Sequence, residues 1–170
     1  MDTRTRGKTV QQAPLIPRPD RCERIALVLQ GGGALGAYQA GVYEALHTAG
    51  LEPDWVSGVS IGAINAALIA GNPPERRLER LHAFWDLITS RKIWYHTPDG
   101  DVFRQARNAA SSMLTVSLGQ PGFFKPRSPG PWISAAGATN ATSYYDSAPL
   151  RQTLLDLIDF DLLNSGIVQF

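Results

Sequence analysis

Apolar positions in this chain come as short runs and periodic stripes, separated by glycine and proline. Ile25-Ala26-Leu27-Val28-Leu29 is an unbroken apolar run that ends near glycines. Its length and β-branched content predict a strand buried in a parallel sheet. Gly31-Gly32-Gly33-Ala34-Leu35-Gly36 follows as a turn, and 37–49 reads as a helix. Tyr38, Val42, Ala45 and Leu46 fall at i, i+4, i+7 and i+8, which predicts the buried stripe, and Gly50 is the stop. Trp55-Val56-Ser57-Gly58-Val59 reads as a second strand, Ser60 as its turn, and 61–70 as an apolar helix ended by Gly71-Asn72-Pro73-Pro74. Strand, tight turn and helix thus occur twice, the pattern of a parallel sheet covered by helices.

Beyond these two units the pattern continues in helices. Residues 75–90 are amphipathic: Leu78, Leu81, Trp85 and Ile88 share one face, and Arg76, Arg77, Glu79 and Arg80 are expected in solvent. A turn at His96-Thr97-Pro98-Asp99-Gly100-Asp101 precedes a helix expected over 102–118. Residues 119–147 read as a loop in which Phe123, Phe124 and Trp132 stand near Lys125 and Arg127. Such a loop is either tacked to the core by its aromatics or is a flap that meets a lipid surface. A last helix starts near Pro149, capped by Asp146 or Ser147, with Leu150, Leu154, Leu157 and Ile158 as its buried stripe. Ile167-Val168-Gln169-Phe170 reads as the first half of a strand, which suggests that the chain is cut within the domain.

Composition narrows the class. With 44% hydrophobic and 18% charged residues the 170-residue chain is globular, with room for one domain. Residues 1–23 hold Pro14, Pro17, Pro19 and several basic residues, so they are expected as a flexible tail before a domain over 24–170. A net charge of +1 gives no electrostatic case for nucleic acid as a partner. A single cysteine, Cys22, excludes an internal disulfide and a thiolate zinc site. No apolar run is long enough to span a membrane, and no apolar segment follows Arg4, Arg6 and Lys8 to make a signal peptide. A cytoplasmic or peripheral membrane location is the corresponding expectation.

Candidate chemistry sits at the two turns. Gly58-Val59-Ser60-Ile61-Gly62 fits G-x-S-x-G, the nucleophile elbow. A nucleophile on a sharp strand-to-helix turn needs small neighbours two before and two after, and Gly58 and Gly62 meet that need. The bland alternative is a serine that only caps the helix starting at Ile61. The glycine turn weighs against it. Acyl transfer needs N–H donors aimed at a developing oxyanion, and Gly31, Gly32 and Gly33 end the first strand on the same sheet edge as Ser60. The same turn formally matches G-x-G-x-x-G, a dinucleotide fingerprint. That reading requires an acid at the end of the second strand, and Glu52 and Asp54 both precede the strand.

Together these residues resemble the patatin-like phospholipase family, most strongly over 24–86. The resemblance implies a three-layer α/β/α fold with a mainly parallel sheet. It implies hydrolysis of lipid acyl esters at a membrane or micelle surface, without metal or cofactor, through a Ser–Asp dyad and an acyl-enzyme. Ser60 matches the nucleophile, and Gly31, Gly32 and Gly33 match the oxyanion-hole segment, with the Ile61 N–H assisting. The chain departs from the pattern twice. Leu35 stands where the family often has Arg or Lys. The family's Asp-Gly-Gly or Asp-Gly-Ala motif is missing, since Asp99-Gly100 is followed by Asp101 and comes too soon after the elbow. The dyad aspartate is therefore expected beyond Phe170. The alternative is a non-catalytic fragment that has elbow and oxyanion loop but no base. His96 is the only loop histidine and so the only triad candidate, while His47 and His82 are expected on helix surfaces.

Overall fold

The computed structural model describes residues 15–90, 117–128, 130, 133, 137–138 and 143–170. The first unit is strand β1 (Ala26–Leu29), a single turn of 3₁₀ helix (Gly33–Leu35) and helix α1 (Gly36–Thr48). The second is β2 (Trp55–Gly58) and α2 (Ile61–Ala70), and α3 (Pro74–Thr89) follows. β1 and β2 pair in parallel, with Ala26 opposite Trp55 and Leu29 opposite Gly58. Of the segment expected as a strand, only Gln169 reaches the sheet, through an isolated parallel bridge to Trp55 on the outer side of β2, while Ile167 and Val168 form a bend. A two-residue antiparallel ladder joins β3 (Lys125–Pro126) to β4 (Tyr145–Asp146), before α4 (Ala148–Leu157) and α5 (Phe160–Asn164).

One core serves these elements. Leu29 and Val56 from the sheet meet Ala66, Leu68 and Ile69 of α2 and Leu81, Phe84 and Trp85 of α3. Fully burying side chains of this size is worth about 1.5–3 kcal/mol each. α4 turns Leu150, Leu154 and Leu157 toward this core, and Ile158 is buried in it, as its stripe predicts.

Three expectations need correction. β1 is not buried on both faces: Leu29 is inside, but Val28 is 77% exposed, because the described helices cover one face of the sheet. The buried stripe of α1 is Gly36, Gln39, Ala40 and Tyr43, whereas Tyr38 is 77% exposed and Val42 and Ala45 face outward. Small residues let α1 approach α2 and α3 closely, and its two polar buried groups are bonded. Gln39 reaches the Gln30 carbonyl at 2.7 Å, and the Tyr43 hydroxyl donates to Glu52 at 2.9 Å. Arg77, expected in solvent, is 4% exposed. Its Nη1 lies 2.5 Å from Glu52 Oε2 and its Nε donates to the Asn72 carbonyl, so the buried charge is paired and hydrogen-bonded. Burial also pushes the Tyr43 hydroxyl well above the usual phenol range.

Of the expected tail, residues 15–23 are described. The Ile16 N–H donates to the Ala49 carbonyl at 2.8 Å, and Arg18 pairs with Asp54 at 2.9 Å. The turn at 96–101, most of the helix expected over 102–118, and Trp132 lie outside the described residues. Among the described residues no helix is long and apolar enough to cross a membrane.

Candidate active site

Ser60 has φ 55° and ψ −122°, a backbone conformation that L residues avoid. Holding a non-glycine residue there costs of order 1–3 kcal/mol. The surroundings leave no alternative. A Cβ on Gly58 would lie 2.3 Å from the Gly62 carbonyl carbon and oxygen, and one on Gly62 would lie 2.2 Å from the Leu29 carbonyl oxygen. The elbow is thus pressed between its own helix and the end of β1, and the Val59 N–H donates to the Leu29 carbonyl at 3.1 Å. Although Ser60 occupies the N-cap position of α2, its side chain makes no capping hydrogen bond. The hydroxyl is exposed at the positive end of that helix. The capping role that would make this serine ordinary is not taken up.

The glycine turn lies beside it. A Cβ built on Gly31 would sit 3.5 Å from Ser60 Cβ. Among the described residues the N–H groups of Gly32, Gly33 and Ile61 donate to no acceptor. Gly33, Ala34, Ser60 and Ile61 form one wall of a cleft of about 440 Å³. Trp85, Ile88, Phe123 and Phe124 form the opposite, apolar wall, with Thr89 and Gln120 as polar neighbours. The structure therefore brings Ser60, Gly33 and Ile61 to one cleft, and Gly31 beside Ser60. Phe123 and Phe124 are half-buried: Phe123 packs on the core, and Phe124 stacks edge-on against Tyr145 at 4.8 Å between ring centroids. Their turn is tied down by Thr153 Oγ1, which donates to the Gly122 carbonyl at 2.8 Å. The tacked loop is thus the arrangement observed for this part of 119–147.

No carboxylate lines the cleft among the described residues. Asp146 acts at a helix start: its Oδ1 accepts the Ala148 N–H at 2.9 Å, which, together with nearby Lys125, holds its carboxyl below the usual range. Asp54 accepts the Ile25 N–H and an Arg18 N–H, and Glu52 binds Tyr43, His47 and Arg77. Both acids are committed at the start of β2, away from the glycine turn at the strand ends. They are in no position to hold a ribose. His47 pairs with Glu52 and is half-buried rather than on the surface, whereas His82 is exposed beside Glu44. Cys22 is a free thiol whose Sγ donates to the Arg24 carbonyl.

Sequence reasoning did not single out Asn65, 1% exposed, and placed Trp85 on the apolar face of its helix rather than in the cleft wall. The available signal for Asn65 was its place as the one polar side chain within Ile61–Ala70.

Comparison with known proteins follows the same residues. Residues 27–170 match the family described as patatin-like phospholipase. The lysophospholipase nte1 of Aspergillus terreus is 54% identical over 46 residues, 27% of this chain and 3% of that protein. A patatin-like phospholipase domain-containing protein of Caenorhabditis elegans is 44% identical over 61 residues, 36% of this chain and 4% of that protein. The neuropathy target esterase sws of Drosophila melanogaster is 54% identical over 44 residues, 26% and 3% respectively. The matches thus span only a few per cent of the length of these relatives. No solved structure gives a significant match.

Proposed function

The chain belongs to the patatin-like phospholipase family, whose domain is a three-layer α/β/α fold, and on that premise we propose that it is a serine hydrolase of lipid acyl esters. The observation that carries this reading is the juxtaposition in one cleft of a strained, uncapped Ser60 with the N–H groups of Gly33 and Ile61. Ser60 Oγ attacks the ester carbonyl and forms an acyl-enzyme, and the alcohol leaves with the hydroxyl proton. The Gly32, Gly33 and Ile61 N–H groups stabilise the tetrahedral oxyanion, aided by the positive end of α2. The acyl chain lies along Trp85, Ile88, Phe123 and Phe124, a wall apolar enough to take it from a membrane or micelle surface. Water then releases the fatty acid.

The base of the dyad is an aspartate from outside the described residues, since none of the described carboxylates lines the cleft. That same observation favours the second reading, a chain that keeps elbow and loop without turnover. A fluorophosphonate probe separates the two. Labelling that disappears in Ser60→Ala is the result expected where the base lies within the chain. A folded chain that takes no label is the non-catalytic alternative.

A further inference from the structure

The glycine turn does little to hold itself in place. Gly32 and Gly33 are exposed and have φ 147° and 55°, and a Cβ on Gly33 would meet nothing within 4 Å. The Leu35 N–H donates to the Gly32 carbonyl at 3.2 Å, but nothing packs over Gly33, where glycine has wide freedom of φ and ψ. Yet donors for an oxyanion must be placed to within about 0.5 Å of the productive geometry.

Two buried side-chain amides grip the turn from beneath, one at each end. Gln39 Nε2 donates to the carbonyl of Gln30, just before the glycines, at 2.7 Å. Asn65 Nδ2 donates to the carbonyl of Gly36, just after them, at 2.9 Å. The two amides also bond each other, Asn65 Nδ2 to Gln39 Oε1 at 3.2 Å. The remaining acceptor, Asn65 Oδ1, takes the Trp85 Nε1–H at 3.0 Å. Every polar atom of the two amides is thus used, the condition under which buried amides rigidify a structure. Asn65 stands on the helix that Ser60 begins. The pair therefore ties the donor turn to the nucleophile's own helix, and through Trp85 to the cleft wall. Neither Gln39 nor Asn65 lines the cleft.

We propose that Gln39 and Asn65 are positioning residues, a clamp that keeps the N–H groups of the glycine turn in register with Ser60. This rests on the reading of that turn as an oxyanion hole. The test is hydrogen–deuterium exchange of the hydrogen-bonded Leu35 and Gly36 N–H groups, together with kcat and KM on a p-nitrophenyl ester, for the chain and for Asn65→Ala, Gln39→Met and Trp85→Phe. Asn65→Ala and Gln39→Met are expected to speed exchange of the Leu35 and Gly36 N–H groups, which are hydrogen-bonded within the turn, about tenfold or more while 74–89 stays unchanged. They should lower kcat about a hundredfold, the effect of misplacing a catalytic group by about 1 Å, with KM within about twofold. Trp85→Phe keeps both bonds to the turn but leaves Asn65 Oδ1 without its donor, so exchange of the turn should rise less than in the other two variants. If Asn65→Ala does not fold, Gln39→Met, which cuts one end of the clamp alone, decides the matter. Exchange of Leu35 and Gly36 that stays unchanged, or that rises equally over 74–89, overturns the proposal. A parent chain without Ser60-dependent turnover defeats the functional reading alone, and the exchange data still decide whether the clamp exists.

Discussion

The two strand–turn–helix units share a topology and differ in how their turns are built. In the second unit glycine is required by closeness. Gly58 and Gly62 face backbone at 2.2–2.3 Å from where a Cβ would stand, and the packing holds Ser60 at positive φ. In the first unit glycine is required by dihedral angle. Gly33 has open space around it and φ 55°, and its neighbours hold it through hydrogen bonds to the turn's ends. The comparison teaches that an exposed serine at positive φ and a row of exposed glycine N–H groups are held by opposite devices. Ser60 is held under strain by contact. The glycine N–H groups are left bare, so the support of their turn comes from its ends.

The sharpest way to break this contrast is Gly62→Ala. The added methyl would press on the Leu29 and Gln30 carbonyl oxygens, at 2.2 and 2.7 Å, which belong to backbone and yield little. We expect a loss of about 3 kcal/mol in urea unfolding followed by tryptophan fluorescence. A cost below about 1 kcal/mol would show that the elbow has slack. Gly33→Ala should be milder. Its methyl meets nothing, so the penalty is that of a left-handed alanine, about 1 kcal/mol by the same measurement. A cost equal to that of Gly62→Ala would erase the distinction between the turns.

The smallest effect belongs to the opposite rim, where the units are fastened together by Asp54. Its carboxylate accepts the Ile25 N–H at 2.8 Å and pairs with Arg18, and these bonds lower its pKa below the ordinary 3.8. The side chains of the pair are 39% and 40% exposed, so solvent screens them. Asp54→Asn should cost about 0.5 kcal/mol at neutral pH. Because the folded-state pKa is depressed, this contribution is present at neutral pH and is lost as the pH falls below 3.8 and through the folded value. Unfolding midpoints of the two proteins should therefore converge in acid. A gap that persists there would assign the effect to something other than the charge.

Much of this was legible in the chain. The order of the two units, the helix over Ile61–Ala70 and the elbow around Ser60 follow from local rules: short apolar runs, glycines two residues either side of a serine, and proline and glycine at helix ends. Such signals act within a few residues, and the fold leaves them intact. Other features were decided only by tertiary structure. α1 buries Gly36, Gln39, Ala40 and Tyr43 in place of its more apolar stripe, because small residues allow close approach and its polar groups find partners on other elements. Arg77 goes inside because Glu52, 25 residues away in sequence, meets it. The amide clamp spans 26 residues from Gln39 to Asn65 and 20 from Asn65 to Trp85. The wall of Phe123 and Phe124 comes to Ser60 from far along the chain. Partners so distant leave no period in the sequence, since what selects them is the satisfaction of buried polar groups and the filling of space once the elements have packed.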